Sequence, residues 1–206
     1  MTMRVKPKDA ASLLLVRRAG ERVEVLLGQR ANRHRFLPDV YAFPGGRVDA
    51  TDMLEMPYSN LNSHYNLSAL NFISELELQA LAIAAVRETW EETGIALGPV
   101  EAGRLRPDLS GLRYFCRAIT PSESPIRFHA RFFLQDVTGR DLTLSGSGEL
   151  LDLAFRPVDE ALRLPLADIT EFVLRQIALL GPDLVPERTA FWRYRRGKPM
   201  IRWENP

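Results

Sequence analysis

Apolar residues fall along the chain in short β-rich runs, interrupted by stretches of helical character. Leu13 to Arg18 and Val23 to Gly28 are separated by Ala19-Gly20-Glu21, a spacing that predicts a β-hairpin. A polar, arginine-bearing stretch follows from Gln29 to Asp39, and Tyr41-Ala42-Phe43 then runs into Pro44-Gly45-Gly46. The paired glycines permit backbone conformations closed to other residues and mark a tight turn or a close approach to a ligand. Residues 53 to 77 are rich in Ser, Asn and Leu, hold Pro57 and keep no clean period, so they read as an insertion of short helical pieces and loops. Leu78 to Thr93 carries strong helix formers without Pro or Gly, and Gly94 suits the left-handed position just past a helix end. Leu112 to Ile119 and Arg127 to Asp136 predict two strands joined by a turn at 120 to 125, and Leu151 to Phe155 predicts another. Pro157 opens a short helix that includes Val158 to Leu162. Ala167 to Leu180 spaces Ile169, Phe172, Val173, Ile177 and Leu180 as an amphipathic helix does. The segment after Pro186 is aromatic and basic, with Phe191, Trp192, Tyr194 and Trp203, and reads as a tail that docks onto the core or onto a second subunit of a homodimer.

With no internal repeat or low-complexity linker, one domain over 1–206 is expected, with 53–77 as its insertion and 182–206 as its tail. The composition, 46% hydrophobic and 26% charged in 206 residues, is that of a globular chain able to bury a core without a metal or disulfide. Any metal must therefore serve chemistry. The 27 basic and 26 acidic residues give a formal charge of +1, so no net field draws in nucleic acid or an anionic membrane, and neither partner is expected. Of the 27 basic residues 24 are arginines, which favour bidentate phosphate binding, although a GC-rich genome gives the same bias. Cys116 is the lone cysteine, which excludes an intrachain disulfide and points to a reducing, cytoplasmic setting. Leu13-Leu14-Leu15-Val16 faintly imitates a signal peptide, but the run is short and is followed by Arg17 and Arg18. No apolar stretch approaches the roughly 20 residues needed to span a bilayer.

The densest chemistry is Arg87-Glu88-Thr89-Trp90-Glu91-Glu92-Thr93-Gly94. On the predicted helix Glu88, Glu91 and Glu92 stand at i, i+3 and i+4 and share one face, where like charges repel unless a cation sits among them. Hard divalent ions take oxygen ligands, and Mg2+ commonly combines a few carboxylates with waters and substrate phosphates. A Mg2+ or Mn2+ site for phosphate chemistry follows, with a solvated acidic face partnered by Arg87 as the plain alternative.

Taken with Phe43-Pro44-Gly45-Gly46 upstream, this stretch resembles the two halves of the Nudix hydrolase box, with Gly46 at its start and Arg87 to Ile95 at its end. Gly46 and Arg87 are 41 positions apart, 27 more than the family's box has, which resembles the branch carrying an insertion there. Counted forward from Gly46, Asp52 takes the place of the box's intermediate Glu; counted back from Arg87, Gln79 does, with Glu75 and Glu77 nearby. Leu26-Leu27-Gly28-Gln29-Arg30-Ala31, followed by Arg35, is similar to the motif that precedes the box in coenzyme A-hydrolysing members. It departs at Gly28, where Thr is usual, and at Asp39, where Gly is usual.

The resemblance covers roughly residues 10 to 180 and implies a Nudix α/β/α sandwich with a central mixed sheet. It implies a metal-dependent pyrophosphohydrolase in which Glu88, Glu91 and Glu92 bind Mg2+ or Mn2+ and Arg87 orients them. Glu149, after Ser145-Gly146-Ser147-Gly148, is the candidate for a further acid from a later loop, and Glu91 or Glu149 is the candidate base. Arg30, Arg35, Phe43, Gly45 and Gly46 are the expected substrate contacts. The substrate implied is a nucleoside diphosphate joined to another group, coenzyme A or acyl-coenzyme A first, with ADP-ribose, a dinucleotide, or a silent ligand-sensing domain as alternatives. Segment 53–77 is placed to act as a lid. Arg127 and Arg131 alternate with aromatics on one strand, where they either meet a substrate phosphate or line a half-exposed sheet face. His34, His64 and His129 lack metal-ligand spacing, and Cys116 reads as a small buried apolar residue.

Overall fold

The structure, a computed structural model, describes residues 5–32, 37–62, 73–180, 184–185, 188–195 and 197–204. Strand β1 (Lys8–Ala19) is its axis. The run Leu13 to Val16 is apolar at every position because the strand is covered on both faces: Leu13 and Leu15 enter one core, Leu14 and Val16 the other. Beyond it come β2 (Arg22–Arg30), β3 (Tyr41–Ala42), β4 (Gly45–Arg47) and α1 (Glu75–Thr93). A small hairpin, β5 (Val100–Glu101) with β6 (Arg104–Leu105), leads to β7 (Arg113–Ile119) and β8 (Phe128–Asp136). Then follow β9 (Leu150–Pro157), α2 (Val158–Ala161), α3 (Asp168–Ala178), β10 (Thr189–Arg195) and β11 (Lys198–Glu204).

The main sheet is mixed and runs β11-β10-β7-β8-β1-β2-β3, with β4 on β1 and β9 on β2. Parallel pairing joins β1 to β8, from Lys8 opposite Phe128 to Val16 opposite Asp136, and β10 to β7. The other flank of β1 is divided: Val16 to Ala19 pair with β2, while Ala10 to Ser12 pair with β4. Helix α1 covers one face, against Ala11, Leu13, Leu15, Leu26, Tyr114 and Phe133. Helices α2 and α3 cover the opposite face through Val158, Val173, Leu174 and Ile177. The α/β/α sandwich is therefore present.

Several elements differ from the sequence reading. Helix α1 starts at Glu75 rather than Leu78 because Ser74-Glu75-Leu76-Glu77 forms a capping box. The Glu77 amide donates to the Ser74 hydroxyl at 3.2 Å, and the Ser74 amide donates to the Glu77 carboxylate at 3.0 Å. Glu77 is spent on that helix start, and Glu75 lies beside it in the first turn. The glycine pair is a short strand instead of a tight turn. The tail docks onto the core, but as two further strands of the same sheet, turning at Gly197 with φ 72°. Residues 51–54 make a turn and 55–62 run mostly as loop, while the expected helical pieces within 63–72 lie outside the described residues.

Candidate active site

Helix α1 lies against β1 and β4, which brings its last turns to the glycine pair. Gly45, at φ 153°, is wedged over β1, where a Cβ would strike the Ala11 carbonyl and Ser12. At Gly46 a Cβ would fall on the Glu88 carboxylate. Both glycines are thus required for close approach. The Gly45 amide donates to Glu92 at 2.8 Å. The two halves of the motif, separated in sequence, meet here.

Arg87 organises the acidic face. Its Nε and Nη2 clamp Asp52 at 2.9 and 3.0 Å, its Nη1 donates to Glu88 at 2.9 Å and Glu91 at 3.2 Å, and Nη2 also reaches the Arg47 carbonyl. Asp52, almost wholly buried, also accepts from the Asp49 amide at 2.7 Å. Counting forward from Gly46 therefore finds the carboxylate paired with Arg87. Although burial opposes its charge, Arg87 is held more firmly protonated than usual by the Asp52 hydrogen bond and the charge of Glu88. Thr89, in an apolar position of the box, is fully buried and satisfies its hydroxyl on the Ala85 carbonyl at 2.7 Å.

Glu92 is 4% exposed, and its hydrogen-bond donor is an amide rather than a cation. Burial, with the charges of Glu88 and Glu149 against the help of Gly45 and Arg30, pushes its pKa up to about 8. Glu88 is also raised, mainly by burial, while Arg87 opposes the shift. Glu91 is half exposed. The 145–149 loop packs on the end of α1, its Ser145 and Ser147 amides donating to the Thr93 and Glu92 carbonyls at 2.8 and 3.3 Å. That places Glu149 in electrostatic contact with Glu92 and Arg30.

Among the described residues no three carboxylate, histidine or cysteine side chains are gathered into a ready cation cage. The donor set nonetheless fits a hard divalent ion: three helix carboxylates share one face, and buried Glu92 is raised by its acidic neighbours and lacks a hydrogen-bonded countercharge.

A cavity of about 520 Å³ opens beside Gly45 and Gly46 on the α3 side of the sheet, lined there by Arg30 and Phe43. Phe43 stands edge-to-face to Phe132, ring centroids 6.4 Å apart. Arg127 and Arg131 do not line it. Arg127 donates to the carbonyls of Val5 at 2.7 Å and Thr120 at 3.3 Å, which ties the turn before β8 to the start of β1. Arg131, on the α1 side of the alternation, pairs with Asp9 and donates to the His129 carbonyl at 2.8 Å. Period-two alternation turns Arg131 away from the cavity, and the 120–125 turn uses Arg127. Arg35, with His34, lies outside the described residues, as does His64. Sequence reasoning missed the cavity residues of the tail and of α3, Trp192, Tyr194 and Asp168, because their partners are distant in sequence.

The motif's two departures have local structural correlates. Gly28 faces Leu150, whose Cβ lies 2.6 Å from where a Gly28 Cβ would stand, so threonine there requires β9 to move. Asp39 has φ 59°, the left-handed backbone that glycine prefers and Asp tolerates.

No protein-family model matches the chain, and no curated protein matches it. Solved structures do. The NUDIX hydrolase from Alicyclobacillus acidocaldarius is 28% identical, with a TM-score of 0.68 over 84% of this chain and 91% of its own. The MutT protein from Bacillus halodurans is 18% identical, with a TM-score of 0.54 over 95% of this chain and 97% of its own. The NUDIX domain of Shewanella oneidensis NrtR, solved with ADP ribose, is 16% identical, with a TM-score of 0.53 over 83% of this chain and 86% of its own. The chain has the fold of the Nudix hydrolases, with the carboxylates of α1 brought against the glycine strand β4.

Proposed function

We propose that this protein is a Mg2+- or Mn2+-dependent pyrophosphohydrolase that cleaves a nucleoside diphosphate joined to another group, with coenzyme A or an acyl derivative as its expected substrate. The observation that carries this reading is the junction of buried Glu92 and partly buried Glu88 with the Gly45–Gly46 backbone, which lines the cavity. Glu88, Glu91 and Glu92 would hold the cation, which when bound supplies charge neutralisation at a phosphoryl oxygen. Arg87 keeps Glu88 and Glu91 in place and shares its own charge with Asp52. Arg30 binds a substrate phosphate from the cavity wall, and Glu149 beside it takes the proton of the attacking water. Water forms the new P–O bond; the anhydride P–O bond breaks, and its electron pair leaves on the second phosphate. The coenzyme A assignment rests on the Leu26 to Arg35 motif, and the backbone at Asp39 supports it. Buried, unpaired Cys116 suits a cytoplasmic setting.

The test is hydrolysis of coenzyme A, acetyl-coenzyme A, ADP-ribose, NADH and a nucleoside triphosphate with Mg2+ or Mn2+, repeated with Glu92→Gln and Glu149→Gln. Coenzyme A cleaved to a phosphopantetheine and an adenosine bisphosphate, with turnover lost in Glu92→Gln, is expected. Preference for ADP-ribose would keep the reaction and discard the substrate, and absence of metal-dependent turnover on all five would reject the enzyme reading in favour of a ligand-sensing domain.

A further inference from the structure

The cavity runs across the strands rather than along them. Residues in register on adjacent strands make its floor: Arg47 on β4, Ala10 on β1, Ala130 on β8, Ala118 on β7 and Trp192 on β10. At about 4.8 Å per strand, the row spans roughly 19 Å. Three successive alanines leave a flat slot, and Phe128 and Phe132, two residues either side of Ala130 on the same strand face, flank it. The glycine strand β4, against which Glu88 and Glu92 of α1 pack, is at one end and the C-terminal hairpin at the other. Flat apolar floor and aromatic flanks suit a planar ring.

At the far end two lining side chains, Tyr194 and Asp168, are joined. Tyr194 stands perpendicular to Trp192, ring centroids 4.8 Å apart, and its hydroxyl donates to Oδ2 of Asp168, the first residue of α3. Burial and Asp168 push the Tyr194 pKa up to about 12, so the hydroxyl keeps its proton. With that proton committed, the pair offers only acceptors: the other Asp168 oxygen and the lone pairs of the Tyr194 oxygen.

We propose that this end of the cavity seats a purine bearing an exocyclic amino group, and that Asp168, positioned by Tyr194, is the specificity-determining residue. The inference rests on the nucleotide reading of the carboxylate end and names the part of the substrate that lies farthest from it. An amino group donates to the acceptor pair. An oxo group in its place sets lone pairs against lone pairs, and a site built around a hydrogen bond rejects such an analogue.

Equilibrium binding of ADP, GDP and IDP to the full chain, by titration calorimetry with Mg2+ present, tests this, because IDP lacks the amino group of both other bases. ADP or GDP is expected to bind about tenfold more tightly than IDP, the size of one net hydrogen bond. Asp168→Asn, which can turn an amide donor to the base, should cut that preference to about threefold or less. Tyr194→Phe, which keeps the ring and releases the carboxylate, should reduce it in part. Binding of IDP as tight as that of both others, an unchanged preference in Asp168→Asn, or no binding of any of the three overturns the proposal. Preference for the amino base without metal-dependent hydrolysis would sustain it while rejecting the proposed reaction.

Discussion

A carboxylate buried as deeply as Glu92 is stable either with a proton or with a cation beside it. Its folded pKa of about 8 stands above the ordinary 4.5, so without metal its contribution to stability is complete below about pH 4.5 and is lost as pH rises through 8. With a chelator present, the melting temperature should therefore fall from pH 5 to pH 8.5, and Mg2+ should restore it at the alkaline end. Glu92→Gln should flatten that slope; equal slopes in the two proteins would reject the account. His129 has the opposite sign. Burial, then Arg131 and Arg117, push its pKa down to about 4 from 6.5, so its contribution is lost as pH falls from about 6.5 towards 4. His129→Gln should lessen acid destabilisation in that window, read as the difference in melting temperature between pH 7 and pH 4.5. At this scale much was legible in the sequence: the spacing of Glu88, Glu91 and Glu92 and the forward count to Asp52 follow from the letters. The cavity lining did not, because Asp168 and Tyr194 meet only through a helix start and a hairpin 26 residues apart in sequence.

Helix α1 is held by separable devices at its two ends, and they should respond differently to mutation. Ser74→Ala removes the capping box at the exposed start and should cost about 1 kcal/mol by denaturant titration, with hydrolysis per folded molecule unchanged. Gly46→Ala, near the other end, puts a methyl group against Glu88 and should depress cation affinity and turnover at least tenfold while the fold persists. If Gly46→Ala kept both, the close approach of β4 to the helix would be irrelevant to the site. The main helices were readable from period and composition, and Ser74-x-x-Glu77 was a readable start signal overlooked beside the stronger pattern at Leu78. The C-terminal strands were harder, since a hairpin gains most of its identity from the sheet it joins. Arg195 to Lys198 gives only Gly197 as a turn marker, and the β10 partner, β7, lies more than 70 residues upstream.

Across the whole molecule the sheet divides the work: the α1 face carries the helix with Glu88, Glu91 and Glu92, and the α3 face carries the cavity, with β4 at their junction. Trp192 belongs to both core and cavity, at 6% exposure. Trp192→Ala should cost about 3–5 kcal/mol by chemical denaturation and weaken nucleotide binding together. A loss of binding at unchanged stability would mean that the tail is an accessory and not part of the core. The central position of β1 also has a kinetic meaning. Its neighbours on one flank are residues 128–136, so Leu14 must find Leu134 at a separation of 120 residues, and such long-range pairing makes folding slow. The same strand anchors Gly45 and Gly46. Because the glycine strand hangs from a strand whose pairing with β8 waits on this slow search, cation-binding ability during refolding should recover in step with the core and never ahead of it.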